Sequence, residues 1–134
     1  MFVDACAIVS LITAEPTAAA YDAALGQANA PCTSVMAAWE AIIVLSHPAK
    51  LNLPYTRTET VVVAFLEARN IELVEPNSPR TVLSYAIAVA EKHGIGRRAL
   101  SNFDCFHYAY AKSRRLSLLT LDERLRQTDV QTLP

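Results

Sequence analysis

Hydrophobic and polar positions divide the chain into two kinds of segment. Short apolar runs predict strands at residues 2–3, 32–33, 71–74, 117–121 and 130–133. Longer segments with helically spaced apolar residues predict helices at 5–13, 16–27, 35–46, 55–69, 79–93 and 103–115. Because strands and helices alternate, we predict an α/β fold in three layers, with helices on both faces of a central, mostly parallel sheet of four or five strands.

The composition is that of a folded protein and excludes several other classes. The 134 residues are 52% hydrophobic and 19% charged, which predicts a single domain spanning 1–134 and excludes a disordered chain. Three cysteines without metal-ligand spacing argue against a disulfide scaffold or a zinc site. No apolar run approaches the ~18 residues that cross a membrane, and no basic leader precedes Asp4. We therefore expect a soluble, cytoplasmic protein.

Charge is distributed unevenly, although the formal net charge is only −1. Residues 1–49 contain four acidic residues and no lysine or arginine, whereas residues 92–134 contain eight basic and four acidic residues. The near-neutral total by itself gives no sign of a nucleic-acid partner. The basic rear segment, however, suits contact with a polyanion.

Three acidic residues stand alone in apolar segments. Asp4 follows the first strand, Glu40 lies within an apolar helix, and Asp104 begins another helix. Asp104 is also suited to cap its helix, and Asp4 to accept backbone N–H groups, whereas Glu40 has no such role in mid-helix. A buried carboxylate needs a cation or a donor nearby, and the adjacent sequence supplies none for Asp4 or Glu40. We expect the whole apolar helix, and Glu40 with it, to be buried.

A fourth acid, Asp122, directly follows the predicted strand 117–121. Ligands of parallel α/β sheets bind beyond the carboxyl ends of the strands. Asp4 and Asp122 both follow such ends, and this edge would bring them together with Glu40 and Asp104. Sites made only of carboxylate oxygens suit Mg²⁺ or Mn²⁺ rather than zinc. The residues thus predict an acidic site for one or two such ions.

Four segments together resemble the motifs of the PIN domain, and in particular the VapC-type toxin ribonucleases of bacterial toxin–antitoxin pairs. The segments are 2–7 (FVDACA), 33–40 (TSVMAAWE), 101–109 (SNFDCFHYA) and 119–122 (LTLD). The resemblance covers essentially the whole chain. It implies that Asp4, Glu40, Asp104 and Asp122 bind Mg²⁺ or Mn²⁺ and cut single-stranded regions of RNA. It also implies a small antitoxin as partner and a homodimer.

The chain departs from the family pattern around the first and third acids. Cys6 stands where family members usually carry serine or threonine, so a weaker accessory hydrogen bond is expected near the metal. Phe103 stands directly before the third acid, where glycine is common in the family.

The fourth acid is a choice between two residues. Many VapC-type proteins place their final acid slightly later, at the position that Arg124 occupies here, which leaves Asp122 or Asp129 for this role. Because Thr120 and Asp122 together match the broader family pattern, we assign the fourth position to Asp122 and an accessory role to Thr120.

Basic residues around the third motif are candidates for contacts with RNA. Arg97 and Arg98 precede Asp104, and Lys112 follows it on the same helix. Such side chains add salt-dependent affinity for phosphates without reading a base sequence. His107 lies one turn after Asp104 and is a weaker candidate for the pocket.

Other classes of phosphate chemistry lack their required residues. A receiver domain needs a second acid after the first strand, a phosphoaspartyl hydrolase needs aspartate at the position of Cys6, and a cysteine phosphatase needs arginine six residues after its cysteine. The remaining alternative is a PIN-like module that binds RNA or protein without catalysis. Apolar helix faces at 17–25 or 55–66 would accept an antitoxin helix, although core packing explains the same residues.

Overall fold

The computed structural model describes residues 1–134 and contains five strands and six α-helices. The strands are β1 (Phe2–Val3), β2 (Cys32–Thr33), β3 (Glu72–Leu73), β4 (Leu118–Leu119) and β5 (Thr132–Leu133). The helices are α1 (Ala5–Thr13), α2 (Ala18–Leu25), α3 (Val35–Ser46), α4 (Tyr55–Ala68), α5 (Pro79–His93) and α6 (Asn102–Arg114). All strands are parallel, in the order β3-β2-β1-β4-β5, so the predicted α/β architecture is confirmed.

Each strand is two residues long, and neighbouring side chains point to opposite faces of the sheet. Phe2 and Leu118 join a core cluster with residues of α5 and α6. Val3 and Leu119 join a second cluster with residues of α1, α3 and α4. All four side chains are fully buried. The sheet is therefore the middle layer between two helical layers.

The elements occur in the predicted order; β1 and β2 have their predicted bounds, whereas β3, β4 and β5 are shorter than predicted. Pairing nevertheless continues beyond β4, because the Phe2 N–H donates to the Ser117 carbonyl at 2.8 Å and the Thr120 N–H to the Leu133 carbonyl at 2.7 Å. The predicted helix 16–27 is shorter, since Pro16 and Thr17 form a turn before α2. None of the helices is both long and apolar enough to cross a membrane.

The expectation that the helix after β2 is buried on all sides is wrong. Ser34 caps α3 as predicted, and its hydroxyl accepts the Ala37 N–H at 3.2 Å. Val35 and Trp39, however, are 53% and 43% exposed. These two side chains line a groove between α3 and α4 and do not face the sheet core. Hydrophobic periodicity alone does not distinguish a groove wall from a core position.

Ser34→Ala is expected to lower the free energy of unfolding by about 1 kcal/mol. The buried Ala37 N–H loses its acceptor at the start of the helix that carries Glu40. Ser84→Ala is the matched control, because the Ser84 hydroxyl donates only to the Arg80 carbonyl on an exposed part of α5. Urea unfolding of both variants measures the difference. An equal loss in the two variants would contradict the capping role of Ser34.

Candidate active site

The carboxyl ends of β1 and β4 bring two side chains together at one edge of the sheet. Asp4 follows β1 and is 3% exposed, and Thr120 follows β4 and is fully buried. The Thr120 hydroxyl donates to Asp4 Oδ2 at 2.6 Å. The parallel pairing of β1 with β4 fixes this contact between residues 116 positions apart. Thr120 therefore contacts the first of the four predicted acids directly.

Asp4 Oδ2 also contacts the thiol of Cys6. The Sγ atom donates at 3.0 Å, and burial together with the charge of Asp4 raises the pKa of the thiol, which keeps it a protonated donor. The Tyr21 hydroxyl lies 3.2 Å from the same sulfur and accepts the Leu121 N–H at 2.9 Å. Tyr21 thus links α2 to the segment after β4. Nothing in the local sequence marks Tyr21 as a site residue, because it occupies an ordinary core position of a helix.

His107 lies between Asp4 and Glu40. It is fully buried, with Nδ1 2.8 Å from Asp4 Oδ1 and Nε2 3.4 Å from Glu40 Oε2. Both contacts are short, but neither ring nitrogen makes a well-directed hydrogen bond. The basic group that the adjacent sequence does not provide for these two acids therefore comes from α6.

The pKa values of Asp4 and His107 move apart because each group stabilises the charged form of the other. Burial alone would raise the pKa of Asp4, but the charge of His107 and the hydrogen bonds from Thr120 and Cys6 outweigh it, so this pKa is lowered. Burial alone would lower the pKa of His107, but Asp4 and Glu40 raise it above its ordinary value. Such a buried pair adds little net stability, yet losing one partner leaves an uncompensated charge.

Glu40 interacts electrostatically with all the other predicted acids. Burial raises its pKa to about 7, with His107 opposing the rise and the carboxylates of Asp4, Asp104 and Asp122 adding to it. Its side chain is 23% exposed and is therefore only partly buried. Its carboxylate makes no hydrogen bond. The fold thus places the four predicted acids close enough to repel one another.

Asp104 caps its helix and also interacts with the charges of the other acids. Its Oδ2 accepts the Ser101 N–H at 2.6 Å, while the Ser101 hydroxyl accepts the Asp104 N–H at 3.0 Å, which forms a capping box at the start of α6. Burial raises the pKa of Asp104, the bonds to Ser101 oppose the rise, and Asp4 and Asp122 add to it. The cap uses one carboxylate oxygen and leaves the other available to a ligand.

Of the two candidates for the fourth acid, only Asp122 lies with the cluster. Its charge acts on Glu40 and Asp104, and its N–H donates to Thr120 Oγ1 at 3.1 Å. Its carboxylate accepts the Arg124 and Leu125 N–H groups just before the short 3-10 helix Leu125–Gln127. Asp129 instead accepts the Tyr108 hydroxyl at 2.8 Å.

Lys112 does not lie with the acids either. Its Nζ donates to Asp129 Oδ2 at 2.8 Å, and both residues line a shallow cavity with Ser117, which precedes β4. Lys112 is more than two helical turns after Asp104 on α6. Arg97 and Arg98 are exposed in the loop before α6. The Arg124 guanidinium donates to the Arg97 carbonyl at 3.3 Å, which holds this loop beside the Asp122 turn.

The residues of the cluster fit a divalent cation. The donors are carboxylate oxygens. Burial, together with their mutual repulsion, raises the pKa values of Glu40 and Asp104, and a bound cation would relieve the repulsion. Asp4 and Glu40, the two acids that His107 contacts, also offer ligand atoms that lie within 4.8 Å of each other. Asp4, Glu40, Asp104 and Asp122 are the residues that would hold the ion.

Affinity for Mn²⁺ is expected to fall as the pH drops below about 7, the pKa of Glu40. Protons and metal compete for the same carboxylate, which predicts a loss of about fivefold between about pH 7 and about pH 6. Titration calorimetry over this range measures the slope. In Glu40→Gln the binding should be weaker and its pH dependence flatter, so an unchanged slope in that variant would refute the assignment.

Comparison with known proteins identifies the family and the fold. The PIN domain family profile matches residues 1–131. The toxin VapC20 of Mycobacterium tuberculosis, which cleaves the sarcin-ricin loop, superposes with a TM-score of 0.73 at 14% identity, over 99% of this chain and 98% of that one. VapBC-1 from nontypeable Haemophilus influenzae gives a TM-score of 0.69 at 18% identity, over 98% and 94% of the two chains.

No curated protein sequence matches the chain. At such low identities the two solved structures establish a common fold, whereas the family profile covers nearly every residue and all four clustered acids. The chain therefore belongs to the PIN domain family.

Proposed function

We propose that this PIN domain is a metal-dependent endoribonuclease of the VapC type, a toxin that hydrolyses phosphodiester bonds of RNA. The observation that carries the proposal is the convergence of Asp4, Glu40, Asp104 and Asp122 at the carboxyl edge of a parallel sheet, where their charges interact. The fold shared with VapC20, which cleaves the sarcin-ricin loop, supports RNA as the substrate.

The four acids would hold one or two Mg²⁺ or Mn²⁺ ions. When bound, such an ion lowers the pKa of a water molecule and offsets the negative charge on the phosphoryl oxygens. Glu40 is suited to the step of orienting the attacking water, because its carboxylate is partly exposed and makes no hydrogen bond within the protein. Asp4 is unsuited to that step, since both of its oxygens contact protein donors.

Basic residues in the loop before α6 would hold the RNA beside the cluster. Arg97 and Arg98 lie in the loop beside the Asp122 turn and would bind phosphates near the cleaved bond. Lys112, paired with Asp129 farther along α6, would contact the RNA only away from that bond.

We further propose a VapB-like antitoxin as partner, a homodimeric state and a cytoplasmic location. The fold shared with VapBC-1 supports an antitoxin. Of the two helix faces considered, that of α2 is used by the core through Tyr21 and Leu25. The face of α4 lines the groove with Trp39, whose ring lies 5.6 Å from that of Tyr55, and this groove suits an amphipathic helix.

Comparison of Asp104→Asn with the wild-type protein tests the proposed function. We expect the wild type to cleave RNA with Mg²⁺, to stop when a chelator is added, and to arrest growth when expressed. Asparagine keeps a side-chain oxygen for the Ser101 N–H, so the variant should fold and yet lose cleavage and growth arrest. Glu123→Gln, an exposed change close to Asp122, is the matched control and should remain active.

Three outcomes would contradict the proposal in different ways. Equal cleavage and equal toxicity in Asp104→Asn would refute the site. Cleavage that survives chelation would refute the role of the metal. Metal binding without any cleavage in a clean preparation would favour the alternative, a PIN-like module that binds RNA or protein without catalysis.

A further inference from the structure

We propose that His107 is a positioning residue, which holds the carboxylates of Asp4 and Glu40 in place for the metal without binding the metal itself. The inference rests on the proposed function, because it concerns the same acidic site. It starts from the placement of a fully buried ring with one nitrogen 2.8 Å from Asp4 Oδ1 and the other 3.4 Å from Glu40 Oε2.

The two carboxylates belong to separate elements, so a side chain that contacts both is needed to fix their relative positions. Asp4 follows β1, and Glu40 lies in the middle of α3. Asp4 is held by Thr120 and Cys6 as well, but the carboxylate of Glu40 makes no hydrogen bond, and His107 Nε2 is the one basic group within 4 Å of it. His107 is therefore the contact through which the position of Glu40 depends on that of Asp4.

The ring of His107 is itself held by aromatic neighbours. The Phe103 ring stacks on it at 6.5 Å between centroids with an interplanar angle of 29°, and the Phe2 ring lies at 6.2 Å. Phe2 belongs to the strand that ends at Asp4, and Phe103 precedes Asp104. The phenylalanine that departs from the family pattern thus has a defined place beside the ring. A ring confined in this way acts as a rigid spacer between the two acids.

Burial separates the role of His107 from that of the acids. The histidine is fully buried, whereas the carboxylate of Glu40 is partly exposed, so an ion arriving from solvent meets carboxylate oxygens before it meets the ring. Outer partners of this kind orient metal-binding carboxylates, and their loss typically weakens metal binding about 10- to 100-fold.

Three substitutions at position 107 test the proposal through Mn²⁺ binding, measured by calorimetry in the absence of RNA. His107→Phe keeps the ring and removes both nitrogens. His107→Asn keeps a donor near the position of Nδ1 and serves Asp4, and His107→Gln keeps one near Nε2 and serves Glu40. We expect Mn²⁺ affinity to fall about 10- to 100-fold in the Phe variant and by less in the other two.

Thr58→Val is the matched control. Thr58 is fully buried and polar; it accepts the Ser46 hydroxyl at 2.8 Å and donates to the Pro54 carbonyl at 3.3 Å, with no hydrogen bond to any of the four acids. Its replacement should lower the melting temperature without changing Mn²⁺ affinity. If His107 served only to fill space in the core, His107→Phe would likewise leave Mn²⁺ affinity unchanged, because phenylalanine retains the volume of the ring.

Defined results would overturn the proposal. The proposal fails if a folded His107→Phe binds Mn²⁺ with wild-type affinity. It also fails if the wild-type protein does not bind Mn²⁺. If His107→Phe does not fold, the Asn and Gln variants decide the test. Wild-type Mn²⁺ affinity in both of them would overturn the proposal. Pulsed EPR that detects a nitrogen directly bound to Mn²⁺ in the wild type would make His107 a ligand instead. Weakened Mn²⁺ binding in a protein that cleaves no RNA would uphold the positioning role and refute the nuclease.

Discussion

Asp4→Asn is expected to reduce metal-dependent RNA cleavage by at least about a thousandfold, which corresponds to about 4 kcal/mol of transition-state stabilisation. Asp4 is the acid with the most contacts, since its two oxygens meet Thr120, Cys6 and His107. The change removes a ligand charge and also the counterion of His107. We therefore expect a loss of stability of about 1–3 kcal/mol in addition to the loss of cleavage.

Asp22→Asn is the matched control for this substitution. Asp22 is an exposed residue of α2 whose carboxylate lies 2.6 Å from the Arg69 guanidinium. Exposed pairs contribute about 0–1 kcal/mol, so stability should change little and cleavage should remain. Initial rates of RNA cleavage with Mn²⁺, together with circular dichroism to verify the fold, measure both effects. A folded Asp4→Asn with near-normal rates would show that the chemistry occurs elsewhere.

Leu118→Ala is expected to lower the free energy of unfolding by about 3 kcal/mol, because the surrounding core closes only partly over the cavity that is left. Leu118 is fully buried and contributes half of β4, where it packs in the cluster formed with α5 and α6. Leu83→Ala on α5 is the control, since Leu83 is 52% exposed and its loss should cost less than about 0.5 kcal/mol. Denaturant unfolding followed by circular dichroism compares the two variants. Similar unfolding midpoints would contradict the arrangement of two core clusters on opposite faces of the sheet.

The order of elements was predictable from the sequence, but the order of strands was not. Alternation of apolar runs with helical segments is a local property and indicates an α/β fold. The pairing of Phe2 with Leu118 depends on contacts between residues at opposite ends of the chain, to which local periodicity is insensitive. The same limit explains the error at α3, where apolar residues on one face line a groove.

The site was predictable to the extent that its residues are unusual in their surroundings. Asp4, Glu40 and Asp104 are conspicuous as single charges in apolar segments. Tyr21 is not, because an aromatic residue on a helix is ordinary in a core. His107 occupies an intermediate position: three residues after Asp104 it shares a helix face with that acid, which made it a candidate without revealing its contacts with Asp4 and Glu40.

The contact between Asp4 and Thr120, 116 positions apart, has a consequence for translation. A chain that stops before β4 contains Asp4, Glu40 and Asp104 but lacks Thr120 and Asp122. It also lacks the strand that pairs with β1 to bring the acids together. Contacts so distant in sequence carry the entropic cost of closing a long loop. Under the proposed function, incomplete products of synthesis should therefore lack nuclease activity, which should appear only when β4 and β5 have joined the sheet.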